Sequence, residues 1–247
     1  MYKIVFIRHG QSKWNASGQF TGWTNVGLTE QGEKEAREAS KLLKEYSFDL
    51  AITSALKRNI ETLDIILKEL DLDIPVEKYW RLNERHYGAL QGFNKIETVE
   101  KYGKDQVFKW RRGYDVKPPL LTEDDPRYSR FDPLYKNIPK EYLPLGESLK
   151  DTEQRVMVCW EKNIAPEIKL GKKIILVGHG NSLRSLIKNL DNISNEDIPH
   201  LDIPTGIPLV YELDENLKPI KSYYLGDQEE IKKRTQEVKS QIKPSNT

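Results

Sequence analysis

The sequence contains almost no cysteine and no long apolar run. Cys159 is the single cysteine among 247 residues, so a disulfide within the chain is excluded and a reducing compartment fits, while an interchain disulfide stays open. We interpret Cys159 as a small, buried apolar residue of a helix. No segment reaches the length of about 20 apolar residues that crosses a membrane, and Met1 to Ile7 is too short for a signal peptide. We expect a soluble, cytoplasmic protein.

An excess of either charge is also absent, because 39 Lys and Arg residues oppose 38 Asp and Glu residues and leave a formal net charge of +1. This balance gives no overall field that would attract nucleic acid or an anionic membrane, so neither is expected as a partner and any anion site must be local. The chain has no Ser/Gly-rich linker and no internal repeat. We predict one domain over residues 1–247.

Short apolar runs alternate with segments of helical periodicity. The runs predict buried parallel strands near Ile4 to Ile7, Asp49 to Thr53 and Ile174 to Val177. The periodic segments predict helices after a cap at Thr29, after Ser54, over Glu147 to Ile164 and over Ser182 to Leu190. This alternation predicts an α/β fold, a three-layer α/β/α sandwich around a mostly parallel sheet.

Three other segments do not fit the alternation. Residues 92–145 are rich in proline, which prevents long helices, and in aromatic residues, which allow packing, so we predict an ordered, irregular insertion that forms a lid. Pro208 to Leu213 and Lys218 to Leu225 flank Asp214-Glu215-Asn216, which predicts a hairpin at the sheet edge. Residues 227–247 are highly charged and are expected to form a flexible tail when no ligand is bound.

Two histidines follow predicted strands, in Arg8-His9-Gly10 and in Gly178-His179-Gly180. Open α/β sheets bind ligands outside the carboxyl ends of their strands. An unprotonated imidazole can attack phosphorus, while a guanidinium beside it disfavours the imidazolium and attracts phosphoryl oxygens. Taken alone, Arg-His-Gly is more often a histidine that caps a loop, but the repeated pattern favours phosphoryl transfer. Gly10 would let the backbone approach an anion, and Ser12 and Asn15 would add neutral donors.

Further cations and an acid accompany these histidines. Arg58 follows Ser54 by one helical turn, where free amides also favour an anion, although a solvated helix arginine is an equally good interpretation of Arg58 alone. Glu84 could move a proton to and from a substrate hydroxyl, with an ion pair to a nearby arginine as the alternative. Lys95, Arg111 and Arg112 add cations in or beside the insertion, where surface solvation is the ordinary interpretation.

A metal site is not expected from the positions of the histidines. His9 and His179 lack the short spacing to other His, Cys or Asp residues that is typical of zinc sites. The guanidinium of Arg8, next to His9, would also repel a divalent cation. We therefore predict chemistry without a metal.

Several motifs occur together between residues 1 and 226: Arg8 to Asn15, Phe20 to Trp23, Thr53 to Arg58, Leu82 to Gly88 with Leu90 to Gly92, Arg111-Arg112, His179 to Arg184 and Ile203 to Gly206. On these residues the chain resembles the cofactor-dependent phosphoglycerate mutases of the histidine phosphatase superfamily. Arg-His-Gly is typical of the whole superfamily, whereas the run from Leu82 to Gly88 and the Arg-Arg pair are specific to the mutases. Gln11 stands where many members have Glu, and Gly178 where Ala is usual.

The resemblance implies a role for each matching residue. His9 would become phosphorylated, Glu84 would donate and accept the proton, and His179 would stabilise the transferring phosphoryl group. The phosphoryl group would be held by Arg8, Asn15, Arg58 and Asn181, and the remaining substrate-binding residues would be Thr21, Gly22, Tyr87, Lys95, Arg111, Arg112 and Gly180, together with Glu84.

The resemblance further implies an isomerase of glycolysis and gluconeogenesis that interconverts 3-phosphoglycerate and 2-phosphoglycerate. It would be primed by 2,3-bisphosphoglycerate, need no metal and bind small phosphorylated three-carbon acids. Members of the family are commonly dimers or tetramers, and we expect a homodimer through apolar surface near the strand and helix that span Ile52 to Leu70. A phosphatase or a bisphosphoglycerate mutase that uses the same phosphohistidine stays open as an alternative. A catalytically silent anion-binding or scaffold protein would be expected to lack His9, Glu84 or His179, and the chain retains them.

Overall fold

Strands and helices alternate along residues 1–240, the part of the chain that the structure, a computed structural model, describes. The strands are β1 (Tyr2–Arg8), β2 (Leu50–Thr53), β3 (Val76–Lys78), β4 (Ile174–Gly178), β5 (Pro208–Leu213) and β6 (Pro219–Tyr224). The helices are α1 (Lys13–Ala16), α2 (Glu30–Leu42), α3 (Lys57–Glu69), α4 (Lys95–Tyr102), α5 (Lys104–Arg112), α6 (Leu149–Cys159), α7 (Ala165–Lys169), α8 (Gly180–Leu190) and α9 (Gln228–Ser240).

The strands form one six-stranded sheet in the order β3-β2-β4-β1-β5-β6. β1 and β2 each pair in parallel with β4, and β3 pairs in parallel with β2. β5 is antiparallel to β1, and β6 to β5, which confirms the predicted edge hairpin. Because β1, β2 and β4 run in the same direction, their carboxyl ends meet at one edge of the sheet.

Helices cover both faces of this sheet. Side chains alternate between the faces of a strand, so Ile4 and Phe6 of β1 pack in one cluster with residues of α6 and α8. Val5 and Ile7 point the other way and pack with α2 and α3. These two cores confirm the predicted three-layer α/β/α sandwich. Cys159 is fully buried in the first core, as predicted.

Element boundaries differ from the prediction where side chains have another use. The Thr29 hydroxyl caps α2 as predicted, accepting from Gly32 N at 3.1 Å. α3 begins at Lys57, three residues after the predicted cap Ser54. The helix predicted from Glu147 begins at Leu149, after the Ser148 cap, and continues through a π turn, Trp160–Ile164, into α7. α8 begins at Gly180, before Ser182, and the short edge strand β3 was not predicted.

The insertion and the tail contain more regular structure than the sequence suggests. α4 and α5 precede the proline-rich stretch, which forms short 3₁₀ turns from residue 129 to residue 142. Trp23 packs there with Tyr128, Tyr135 and Leu143. Residues 228–240 form α9, where a flexible tail was predicted, and the rest of that predicted tail, 241–247, lies outside the described residues.

Among residues 1–240, no helix combines the length and the apolar character that a membrane crossing requires. The cytoplasmic location stays a prediction. The homodimer also stays a prediction, but the surface proposed for it changes: Ile52, Leu63 and Ile66 are fully buried within the chain. Only Ile60, Ile65 and Leu70 remain partly exposed in that stretch among its larger aliphatic residues.

Candidate active site

The parallel pairing of β1 and β4 brings the two predicted histidines together. Arg8 and Gly178 are partners in the register, and the His9 amide donates to the Gly178 carbonyl at 3.0 Å. Each histidine therefore leaves its strand at the same level of the sheet. The two imidazole ring centroids lie 5.0 Å apart at an interplanar angle of 68°, so the two rings are in edge contact.

The hydrogen bonds of His9 define which nitrogen is available for chemistry. Nδ1 lies 2.7 Å from the Gly10 carbonyl oxygen, which can only accept, so Nδ1 carries the proton. Nε2 lies 3.3 Å from Nε of Arg58, which can only donate. The Nε2 lone pair of His9 is therefore unprotonated and directed toward the guanidinium group of Arg58.

His179 contacts the ring of His9 but does not line the cavity. Its ring is fully buried, and Nε2 is 2.8 Å from the Ser54 hydroxyl oxygen. Nδ1 has no hydrogen-bond partner among residues 1–240. The Ser54 hydroxyl thus orients His179 and accepts from Leu56 N at 3.2 Å instead of capping α3. For this reason α3 begins later than predicted.

Both imidazoles are held in the neutral form. Burial lowers the pKa of His9 well below its usual value of 6.5, and the guanidinium groups of Arg58 and Arg8 lower it further. Burial likewise lowers the pKa of His179 well below 6.5, with Arg58 as the next cause. A neutral imidazole is the form that can attack phosphorus.

One cavity collects the predicted site residues. All of them except His179 line it: Arg8, His9, Asn15, Thr21, Gly22, Arg58, Glu84, Tyr87, Lys95, Arg111, Arg112, Gly180 and Asn181. The prediction missed Gln19, Phe20, Arg184, Ile203 and Val238, which also line the cavity. Arg184 follows His179 in the same motif and could have been found there. Val238 carries no signal in the sequence, since its contact depends on the position of α9.

Glu84 is held at the edge of this cavity by two backbone amides. Its Oε1 atom accepts from Arg85 N at 2.8 Å and from Asn181 N at 3.0 Å. Asn181 belongs to the first turn of α8, where backbone amides have no acceptor within the helix. The ion pair with a neighbouring arginine that the sequence left open is not formed between Glu84 and any arginine of residues 1–240. The carboxyl group faces the same volume as His9.

The cavity gathers cations that are costly to bury without an anion. Burial lowers the pKa of Arg58 and of Arg111 to about 10 each. Burial also lowers the pKa of Lys95 well below its usual value, and Arg111 and Arg8 add to the effect. The Nε of Arg8 is buried without a hydrogen-bond partner among residues 1–240. A bound polyanion would relieve both the mutual repulsion and the missing hydrogen bond.

Arg112 lines the cavity but is anchored elsewhere. Its guanidinium donates to the carbonyls of Pro199 and Leu201 at 2.8 and 2.9 Å and pairs with the Asp202 carboxylate at 2.6 Å. Arg112 thus ties α5 to the loop before β5. Its neighbour Arg111 also lies in the cavity wall.

In the loop after β1, Ser12 and Gly10 have other roles than the sequence predicts. Ser12 is fully buried and caps α1, where it exchanges hydrogen bonds with Asn15, so it does not line the cavity. The Asn15 Oδ1 atom accepts from Ser12 N at 3.2 Å, which leaves its NH₂ group as the donor for a ligand. Gly10 was expected to admit an anion, but a Cβ there would lie 2.2 Å from the Gly32 carbonyl oxygen. Its lack of a side chain allows close packing against α2.

Asn181 and Tyr87 are oriented by buried arginines. Arg184 donates to Asn181 Oδ1 at 2.8 Å, and Asn181 Nδ2 donates to the Tyr87 hydroxyl at 3.3 Å. Burial raises the pKa of Tyr87, but the guanidinium groups of Arg85 and Arg111 outweigh it and leave the pKa below the ordinary value. Both side chains therefore present fixed polar groups to the cavity.

Metal ligands do not come together in this arrangement. Over residues 1–240, no three or more His, Cys, Asp or Glu side chains are grouped so that they could hold an ion. The cavity instead combines a neutral imidazole, buried guanidinium groups and a carboxyl group, which is suited to phosphoryl transfer.

Solved structures share this fold. A structure of mycobacterial glucosyl-3-phosphoglycerate phosphatase with VO3 superposes with a TM-score of 0.69 at 20% identity, over 91% of this chain and 97% of that one. The α-ribazole phosphatase from Shigella flexneri gives a TM-score of 0.65 at 22% identity, over 91% of this chain and 96% of that one. At these identities the likeness concerns the fold. Residues 4–224 match the profile of one protein family, and the chain belongs to the histidine phosphatase superfamily (branch 1).

Proposed function

We propose that this protein transfers phosphoryl groups through a phosphohistidine at His9 and acts as a phosphoglycerate mutase. It would interconvert 3-phosphoglycerate and 2-phosphoglycerate after priming by 2,3-bisphosphoglycerate. The observation that carries the proposal is the orientation of His9, whose unprotonated Nε2 faces Arg58 in a cavity lined by buried cations. Membership of the superfamily supports the phosphoryl-transfer chemistry.

The first step follows from the atoms at the cavity wall. When a phosphoryl group binds, one of its oxygens replaces His9 Nε2 as the acceptor of the Arg58 Nε–H group. The lone pair of His9 Nε2 is then free to attack phosphorus. The N–P bond forms as the P–O bond to the substrate breaks, and Glu84 gives its proton to the departing oxygen. Arg8 and Arg58 balance the charge on the phosphoryl oxygens. In the reverse step, Glu84 takes the proton of the accepting hydroxyl while that oxygen attacks phosphorus and the N–P bond breaks.

Lys95 and Arg111 support a mutase in particular. Both line the cavity on helices of the insertion, and both side chains are buried. A phosphoglycerate carries negative charge at its carboxylate as well as at its phosphate, so it needs a second cationic contact beyond Arg8 and Arg58. A bisphosphoglycerate needs the same contact for its second phosphate. Reduced access of water strengthens each of these interactions and protects a phosphohistidine from hydrolysis.

A phosphatase is the second candidate, and the fold neighbours favour it. Glucosyl-3-phosphoglycerate phosphatase and α-ribazole phosphatase are both phosphatases in name. In that reaction the same phosphohistidine would be attacked by water, with Glu84 as the base. The two candidates differ only in whether water or a second hydroxyl of the bound acid reaches phosphorus first.

The deciding experiment is a coupled assay of 3-phosphoglycerate turnover with and without 2,3-bisphosphoglycerate, which follows 2-phosphoglycerate and inorganic phosphate together. We expect 2-phosphoglycerate to form much faster than phosphate and the rate to rise with the bisphosphate. A chelator should leave the rate unchanged. Rapid release of phosphate with little 2-phosphoglycerate would favour the phosphatase, and a loss of activity with the chelator would contradict the metal-free scheme.

A further inference from the structure

The loop that carries Glu84 lies between two short 3₁₀ turns, Trp80–Leu82 and Gly88–Leu90, and Arg155 of α6 binds several of its backbone carbonyls. Arg155 of α6 donates from Nη1 to the carbonyl oxygens of Arg81 and Asn83 at 2.7 and 2.8 Å. Its Nη2 donates to the carbonyl of Glu84 at 2.8 Å. Backbone carbonyls need partners when they are buried, and Arg155 provides one for each of these three.

The remaining donors of Arg155 bind Glu147. Nε and Nη2 form a two-point contact with the Glu147 carboxylate at 2.7 and 2.8 Å. A guanidinium has five N–H groups in one plane, and the contacts of Arg155 use all of them. The side chains of Arg155 and Glu147 are 9% and 4% exposed, respectively. Such a pair is weakly screened by water, and the loss of one partner leaves a buried charge.

Glu147 fixes the other end of the same loop. Its Oε2 accepts from His86 N at 2.8 Å, and its own amide donates to the His86 carbonyl at 2.8 Å. Residues 81–86 are therefore held from both ends by the Arg155–Glu147 pair. Neither member lines the cavity, so neither touches a bound substrate.

We propose that Arg155 and Glu147 are positioning residues that set the location of the Glu84 carboxylate for proton transfer. The proposal rests on the proposed function. Glu84 must meet Asn181 N on α8 and the substrate oxygen at once, while its backbone carbonyl is held by Arg155 and by Trp23 Nε1 at 2.6 Å. Without the Arg155–Glu147 pair the loop can shift relative to α8, and a misplacement of the Glu84 carboxylate by about 1 Å costs on the order of 10²-fold in rate.

If Arg155 and Glu147 position Glu84, their replacement should slow the steps that need a proton from Glu84. Steps that need no such proton should keep their native rates. Turnover of 3-phosphoglycerate requires protonation of the departing alkoxide. Phosphoramidate is a small phosphoryl donor whose nitrogen already carries its proton, so ammonia leaves as the His9–P bond forms without help from Glu84. Comparison of the two reactions separates a misplaced Glu84 from a damaged site.

The test variant is Arg155→Lys, which keeps the charge but has three donors on a tetrahedral nitrogen. We expect kcat for 3-phosphoglycerate, measured as 2-phosphoglycerate plus phosphate, to fall about 10²-fold. The KM should stay within about twofold of the native value, because binding residues are untouched. Phosphorylation of His9 by phosphoramidate should continue at about the native rate.

Two further variants keep the result interpretable. Glu147→Gln retains one acceptor for Arg155 and should likewise lower kcat for 3-phosphoglycerate while phosphorylation by phosphoramidate stays near the native rate, which decides the matter if Arg155→Lys fails to fold. Arg127→Lys is the matched control, since Arg127 also joins a carboxylate, Asp125, to two carbonyls, those of Ala89 and Gln91. It is partly exposed and does not contact the Glu84 loop, so both rates should stay within about twofold.

The outcomes separate this proposal from the function on which it rests. If the native protein neither turns over 3-phosphoglycerate nor is phosphorylated on His9, the proposed function is wrong and the positioning role falls with it. If the native protein does both, but Arg155→Lys slows the two reactions equally or slows neither, the proposed function stands and the positioning role is wrong.

Discussion

Nε2 of His9 lies 3.3 Å from Nε of Arg58, and the same guanidinium donates to the carbonyls of Gly22 and Thr24 at 2.8 and 3.0 Å. These contacts fix Arg58 in place before any ligand arrives. A preorganised cation beside a neutral imidazole keeps the nucleophile unprotonated and lies where negative charge develops during phosphoryl transfer.

Replacement of Arg58 by lysine should therefore cost activity although the charge is kept. Lysine cannot bind both carbonyls and face His9 at once, so we expect kcat/KM for 3-phosphoglycerate to fall about 10²- to 10³-fold. The neighbouring Lys57 is exposed and pairs with Glu61, and Lys57→Gln should change kcat/KM by no more than about twofold. Equal activities of the two variants would show that the contacts of Arg58 are unimportant.

Arg111 should discriminate between phosphorylated substrates that carry a second anionic group and those that do not. Loss of a hydrogen bond to a charged group costs about 1.5–3 kcal/mol, so Arg111→Gln should lower kcat/KM for 3-phosphoglycerate about 10- to 100-fold. A monophosphate without a carboxylate, such as glycerol 3-phosphate, should lose much less relative to its own native value. Lys109→Gln, an exposed change on the same helix, serves as the control. A uniform loss for both substrates would contradict the second anion contact.

The buried histidines should make the fold sensitive to mild acid. Burial lowers the pKa values of His9 and His179 well below 6.5 and that of His86 to about 3. Below the unfolded pKa the unfolded chain binds more protons, so the free energy of unfolding falls as the pH falls, by up to about 1.4 kcal/mol per pH unit for each histidine. Above the histidine pKa of the unfolded chain, the stabilisation by the neutral buried histidines is complete.

Urea unfolding between about pH 7.5 and pH 5, in buffer without phosphate, measures this slope. His86→Asn, which keeps a side-chain acceptor for the Gly88 amide, should give a smaller slope at these pH values. A free energy of unfolding that stays constant or rises toward pH 5 would contradict the burial of neutral imidazoles.

Gly10→Ala tests the packing role that the structure gives to this glycine. The added Cβ would lie 2.2 Å from the Gly32 carbonyl oxygen, so the loop after β1 must move away from α2. We expect a loss of about 1–3 kcal/mol in the free energy of unfolding. Native stability with impaired anion binding alone would support the role expected from the sequence instead.

Patterns that depend on neighbours in sequence were predictable. Apolar runs located β1, β2 and β4, and two histidines at strand ends indicated a shared site, because parallel strands present their carboxyl ends at one edge. The Thr29 cap could be predicted because it depends on residues within one turn.

Features that depend on distant partners could not be found this way. α9 is rich in charge, which suggested a solvated tail, yet its Arg234 is buried and pairs with Glu38 and Glu230. In the sequence, nothing distinguishes Arg155 from other helix arginines. Its role depends on the loop that carries Glu84, which lies more than 70 residues earlier in the chain. Arg112 lies in the predicted motif, but its acceptors are almost ninety residues away along the chain, at Pro199, Leu201 and Asp202.

We expect His9 Nε2 to carry the transferred phosphoryl group. Labelling with 2,3-bisphosphoglycerate that carries radioactive phosphate, followed by an alkaline quench and peptide mapping, measures this most directly. Label should appear on His9 of the native protein and be lost on acid treatment, as expected for a phosphohistidine, and His9→Ala should show no label and no turnover. Label on another residue, or full turnover in His9→Ala, would contradict it.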